Sequence, residues 1–157
     1  MKAYQVVAGE GIHSLRPVQI ESRPLRGHEV RVRVRAAGLG FRDLMVAWGD
    51  FSPGWIERGK ALIALSTGAG EVIEVGSEVT RFEAGDRVFS LVFPHWIDGA
   101  PTPAKTRHTF GLSIDGFLAE EAVLDEQAVV RMPANLNFAE ATTLPGNALT
   151  AWNALFA

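Results

Sequence analysis

At 157 residues, with 47% hydrophobic side chains, the chain has the size of one globular domain and buries enough surface to fold without disulfides or a structural metal. It contains no cysteine, which excludes disulfide frameworks, thiolate zinc sites, thiol nucleophiles and iron–sulfur clusters, and this suits a cytoplasmic location. Its 15 Lys+Arg against 18 Asp+Glu give a net charge of −3, which argues against a nucleic-acid surface, and neither a signal-peptide core nor a run long enough to span a membrane is present.

Short strands separated by Gly and Pro dominate the first two thirds. Alternation and turn chemistry predict them over residues 3–8, 18–21, 28–36, 61–65, 71–75, 87–93, 117–123 and 128–132. In the third, Val30, Val32 and Val34 alternate with Arg31, Arg33 and Arg35, so one face is expected in the core and the charged face in solvent, as on an edge or surface strand. The fold class expected is mainly β with a few short helices, a barrel or sandwich rather than a parallel α/β sheet. A first short helix is expected over 42–48, where Leu44, Met45 and Trp48 share a face and Gly49 ends the run. A second should start on Asn137, with Glu140 three residues on, and close at Pro145. A third carries Leu149, Trp152 and Phe156 on one face and reaches Ala157 without a cap, as an element that continues into something else would.

Several tempting motifs fail on context. Gly9-Glu10-Gly11 follows a strand, but Pro17 and period-two alternation come next instead of a helix. Gly68-Ala69-Gly70 runs on into strand residues. The histidines His13, His28, His95 and His108 lack ligand spacing, so no metal site is expected. Residues 94–116 form a long polar segment holding Trp96, which reads either as a surface loop or as a lid over a site.

The stretch Gly70-Glu71-Val72-Ile73-Glu74-Val75-Gly76-Ser77-Glu78-Val79-Thr80-Arg81-Phe82-Glu83-Ala84-Gly85-Asp86-Arg87-Val88 has a scaffold logic of its own. A strand ends at Gly76, Val79 and Phe82 pack inward, and Gly85-Asp86 turns the chain into the next strand. It also resembles the G-x-V-x-x-V-G-x-x-V-x-x-F-x-x-G-D-R-V stretch of the medium-chain dehydrogenase/reductase superfamily. The resemblance spans the chain. Residues 36–45 are similar to the superfamily's first active-site segment, 115–120 to its D-G-x-x-A-E-Y segment with Glu121 in place of tyrosine, and 144–152 to its last.

The resemblance implies an N-terminal GroES-like catalytic domain, a partly open β-barrel, over 1–144, with 145–157 starting a helix that leads toward a Rossmann cofactor domain absent from this chain. The positions that hold catalytic zinc in the zinc-dependent branch fall on Gly40, Ser66 and Gly146, so the zinc-free quinone oxidoreductase-like branch is implied. That branch's Asn-Tyr-x-Asp pattern appears here as Gly40-Phe41-Arg42-Asp43. The implied reaction is hydride transfer from NADP(H) or NAD(H) to a quinone, enone, aldehyde or ketone. Phe41 and Trp96 would wall the pocket, and Ser66 or Thr67 would bond the substrate oxygen. Arg42, Asp43 and Thr150 would approach the cofactor, Asp43 orienting its surroundings rather than acting as a base. The chain would be inactive without a cofactor domain, supplied by a separate partner or on a longer chain, and could form a homodimer. The alternative is a stand-alone β-barrel that binds an apolar ligand or a protein.

Overall fold

The structure, a computed structural model, describes residues 1–51 and 55–156. Two antiparallel sheets carry the fold. The strands, in chain order, are β1 (Lys2–Val7), β2 (Arg16–Gln19), β3 (Glu29–Gly38), β4 (Ala61–Ile63), β5 (Thr67–Val75), β6 (Arg87–Ser90), β7 (Glu121–Asp125) and β8 (Val129–Arg131). The smaller sheet has the order β2-β1-β4 and the larger β7-β3-β5-β6-β8, with no closed barrel. Every segment expected to be a strand overlaps one, and the mainly β, GroES-like class holds.

Several boundaries differ, for physical reasons. The sixth strand stops at Ser90, opposite Val129 at the start of β8; beyond it Leu91 donates to the Ala128 carbonyl and Val92 accepts from Phe110 N outside the ladder. Residues 117–120 lie outside the named strands, between the two sheets, and turn at Ala119, whose N–H donates to the Phe117 carbonyl. Phe117 and Leu118 donate to Leu65 and Ala64, Tyr4 donates to Leu118, Glu120 donates to Lys2, and Val34 donates to Glu120. This segment therefore stitches the smaller sheet to the larger one before β7 pairs with β3.

The reading of β3 as an edge or surface strand needs correction. It lies between β7 and β5, with register shifts after Arg31 and Val34. Arg31 does not face solvent; it is 8% exposed. Its Nε donates to Glu74 at 2.7 Å, Nη1 to Ser22 Oγ at 2.6 Å and Nη2 to the Arg23 carbonyl at 2.7 Å, which satisfies the buried charge. Arg33 and Arg35 remain outside.

The main core gathers Val30, Val32, Val72, Phe82, Val88 and Val129 between the strands of the larger sheet, with Val79 packed at its margin. A second cluster, built on Val6, Val46, Ala47 and Leu112, fastens helix α1 (Phe41–Trp48) to the smaller sheet. The 94–116 segment divides. Its middle is exposed and holds α2 (Pro103–Thr106), but Thr109 to Leu112 is buried and sends Phe110 and Leu112 into the two cores. Gly70 is required where β5 meets β3, since a Cβ there would overlap the Arg33 carbonyl.

At the C-terminal end, Asn137 caps α3 (Phe138–Ala141) in the expected reciprocal fashion, its Oδ1 accepting from Glu140 N and Glu140 Oε2 accepting from Asn137 N. Pro145 does not close that helix. The helix ends at Ala141, and Pro145 opens a π-helical turn over Leu144–Ala148 that runs directly into α4 (Leu149–Phe156). A proline in the first turn of a helix breaks no bond, because its missing N–H would be unpaired there. Leu149, Trp152, Leu155 and Phe156 on α4 are all exposed. Among the described residues, no helix is long and apolar enough to cross a membrane.

Candidate functional site

The site is organised by Asp43, in the first turn of α1. Its Oδ2 accepts from Gly40 N at 2.8 Å, and its Oδ1 accepts from Ser66 N at 3.0 Å. One carboxylate therefore ties the start of the helix to the connection between β4 and β5, across 23 residues of sequence. Burial raises the Asp43 carboxyl above its ordinary value, and the N–H bonds from Gly40 and Ser66 oppose that rise. With both oxygens engaged, Asp43 is built to hold backbone in place.

Leu65 gives Ser66 its direction. Its φ is 71°, uncommon for a branched side chain, and Gly116 allows the neighbouring backbone to lie directly against the Leu65 carbonyl. Nothing in the sequence signals this conformation. Ser66 is buried, and Thr67 beside it is half-buried at the start of β5. A Cβ on Gly38 would stand 2.5 Å from Thr67 Oγ1 and 3.1 Å from Thr142 Oγ1, so this glycine leaves room for two hydroxyls side by side.

Arg42 follows a different path from its neighbour. Its Cζ lies over the rings of Phe51 and Phe93, 5.8 and 5.7 Å from their centroids. Its Nε and Nη2 are buried and meet no hydrogen-bond partner among the described residues. Burial lowers the guanidinium's pKa, opposed by the nearby Asp43 charge, yet an arginine stays protonated. Phe93 in turn packs edge-on against Trp96 at 5.9 Å, and the Trp96 indole donates to the Gly99 carbonyl. Phe51 and Phe93 were not among the residues singled out from sequence, and only the aromatic character of both hinted at them.

Phe41 is placed differently. It is 69% exposed and leans on Trp48 of its own helix, with ring centroids 6.3 Å apart. Thr150 stands apart on α4, exposed, and its hydroxyl donates to the Gly146 carbonyl at 2.7 Å. The fold thus links Asp43 to Ser66, beside Thr67, and Arg42 through Phe93 to Trp96, with Phe41 exposed on α1 and Thr150 on a separate element.

The donor set does not suit zinc. Gly40 and Gly146 offer no side-chain ligand, Ser66 offers a buried hydroxyl, and among the described residues no three His, Cys, Asp or Glu side chains cluster to hold an ion. Phosphate-cradling turns are also missing among the described residues. Gly68 and Gly70 lie inside β5, and Gly9 to Gly11 leads through a short 3-10 turn (Ile12–Ser14) into β2.

Comparison with known proteins places this geometry. The chain is 38% identical over 147 residues to a zinc-type alcohol dehydrogenase-like protein of Schizosaccharomyces pombe, which takes in 93% of this chain and 42% of that protein. It is 33% identical to a chloroplast envelope quinone oxidoreductase homolog of Arabidopsis thaliana, over 94% of this chain and 39% of that one. A crystal structure described as an alcohol dehydrogenase from Sinorhizobium meliloti 1021 superposes with a TM-score of 0.81 and 34% identity, covering 99% of this chain and 46% of the other. The chain thus spans less than half the length of each. Residues 26–134 match the alcohol dehydrogenase GroES-like domain. The chain belongs to the alcohol dehydrogenase GroES-like domain family, within the medium-chain dehydrogenase/reductase superfamily.

Proposed function

We propose that this chain is the substrate-side catalytic domain of a zinc-independent, NAD(P)H-dependent oxidoreductase of the cytoplasm that passes hydride to a quinone, enone, aldehyde or ketone. One observation carries the reading. The Asp43 carboxylate fastens Gly40 and Ser66 together through their backbone amides, at two positions where the zinc-dependent branch holds its metal, and a cationic Arg42 stands beside them. In this reading residues 1–144 form the catalytic domain and 145–157 begin the connection to a cofactor domain, carried on the same polypeptide or on a partner.

The residues present suit the nicotinamide end of a dinucleotide. Arg42 brings a positive charge beside Asp43, and Thr150 lies exposed on the connecting helix, where both would approach the cofactor. When bound, the nicotinamide supplies the hydride. The chain's own residues position and shield. Thr67 and the Ser66 hydroxyl donate to the substrate oxygen, where negative charge grows as the carbonyl is reduced. Asp43 keeps Ser66 and the helix start in register, and the Phe93–Trp96 pair excludes water on one side. Phe41, open in this structure, closes the other side when the cofactor half docks.

The test is oxidation of NADPH and NADH by the protein expressed from its full reading frame, offered neutral quinones, enones, aldehydes and ketones. Turnover of at least one acceptor is expected, with no saturable NADPH binding by the 157-residue chain alone at tens of micromolar. Absence of turnover with every acceptor and both nucleotides, or tight 1:1 nucleotide binding by the short chain, overturns the proposal.

A further inference from the structure

Arg42 presents an unmet requirement that the neutral acceptors named above do not answer. Two of its guanidinium nitrogens, Nε and Nη2, are sealed from water with no partner among the described residues, and such groups carry an unrelieved desolvation cost. The nearest carboxylate does not relieve it, because both oxygens of Asp43 already accept from Gly40 and Ser66 amides. Asp43 offsets part of the guanidinium's charge, but Nε and Nη2 still lack an acceptor among the described residues. Rings of Phe51 and Phe93 lie against the guanidinium, so its hydrogen-bonding edge is the part left to bind a ligand.

We propose that Arg42 is the specificity-determining anchor for a carboxylate on the substrate, and that the favoured acceptor is a flat, conjugated acid such as an enoate or a 2-oxo acid. A guanidinium fork matches the two oxygens of a carboxylate, which adds both energy and orientation. Aromatic walls favour a planar group over a tetrahedral phosphate. Held there, the acid lies beside Ser66 and Thr67, whose hydroxyls reach the carbonyl or the far end of the conjugated system. Calling the bound acid a substrate rests on the oxidoreductase reading; the anion site itself does not.

The test therefore uses binding to the 157-residue chain rather than turnover. But-2-enoate, but-2-enamide and inorganic pyrophosphate are titrated separately into 15N-labelled protein, following the arginine Nε–H resonances and the backbone amides. The Arg42 resonance is assigned by its loss in Arg42→Gln. But-2-enoate is expected to shift the Arg42, Ser66 and Thr67 signals in a saturable way. The amide is expected to bind about tenfold more weakly or worse. Arg42→Gln should abolish the preference for the acid, Arg42→Lys should recover only part of it, and Arg33→Gln, on the exposed face of β3, should leave it unchanged. Backbone dispersion shows that each variant is folded. Equal binding of acid and amide, acid binding unaffected by Arg42→Gln, or a response to pyrophosphate alone overturns the proposal. Turnover of neutral enones by the full-length protein without acid binding here would leave the oxidoreductase reading standing and remove only this one. Acid binding without any turnover would do the reverse.

Discussion

Replacing Asp43 tests the central claim about the site, that one carboxylate organises it. Asp43→Ala removes the acceptor for two backbone N–H groups, from Gly40 at 2.8 Å and Ser66 at 3.0 Å. Hydrogen bonds to a charged group contribute about 1.5–3 kcal/mol each, and relief from burying the charge offsets part of that. The net loss should be about 2–3 kcal/mol, or about 4–12 °C in Tm for a domain of this size. Asp43→Asn keeps one acceptor but turns an NH2 toward the other N–H, so it should lose about 1–2 kcal/mol, roughly 2–8 °C. Thermal unfolding followed by circular dichroism at pH 7 measures both. The pH dependence gives an independent check. The carboxyl's pKa is raised in the folded state above its ordinary 3.8, so the fold binds this proton more tightly than the unfolded chain does. Wild-type stability should then gain a contribution as pH falls through the raised value toward 3.8, one that Asp43→Asn lacks, so the gap between them widens in acid. An Asp43→Ala protein that melts within about 1 °C of wild type would refute the argument.

Four further outcomes are expected. Glu29 accepts both Arg23 Nη atoms and the Arg26 amide, and the Arg23 hydrogen bond above all holds its pKa down at about 2 from 4.5. Its contribution is present above 4.5 and lost as pH falls through about 2; because Arg23 is half exposed, Glu29→Gln should remove only about 1–2 kcal/mol at pH 7, measured by urea unfolding at pH 7 and pH 2. His28 bridges Glu126 and Glu78, and the Glu126 hydrogen bond raises its pKa above 6.5. Its stabilising contribution is full below 6.5 and fades as pH rises through the folded value, so His28→Gln should flatten the Tm profile on that limb. Gly70→Ala would drive a methyl group into the Arg33 carbonyl and cost about 3 kcal/mol, visible as a Tm drop of roughly 6–12 °C. The uncovered Leu149, Trp152, Leu155 and Phe156 should make the 157-residue chain self-associate with rising concentration, and Trp152→Glu should reduce this in light scattering without changing Tm.

The strands were legible because alternation is a local signal that survives in any context where one face is covered. The turn Gly85-Asp86 and the cap on Asn137 were legible for the same reason, their partners lying within three residues. Arg31 was misread because its fate depends on Glu74, Ser22 and Arg23, brought to it by a neighbouring strand and a loop. Sequence patterning can state that a residue lies on the outer face of a strand. It does not state whether that face remains exposed.

The site shows the same division more sharply. The run from Gly40 to Asp43 stood out in sequence, but the distinct fates of Arg42 and Asp43 follow from contacts made far along the chain. Asp43 acquires its role from Ser66, which meets it only because Leu65 adopts a positive φ. Arg42 acquires its surroundings from Phe51 and Phe93, which lie beyond the end of α1 and beyond the end of β6. These two rings cover the guanidinium's faces, while Nε and Nη2 at its edge meet no partner among the described residues. A site built in this way depends on sheet register as much as on the chemistry of its side chains.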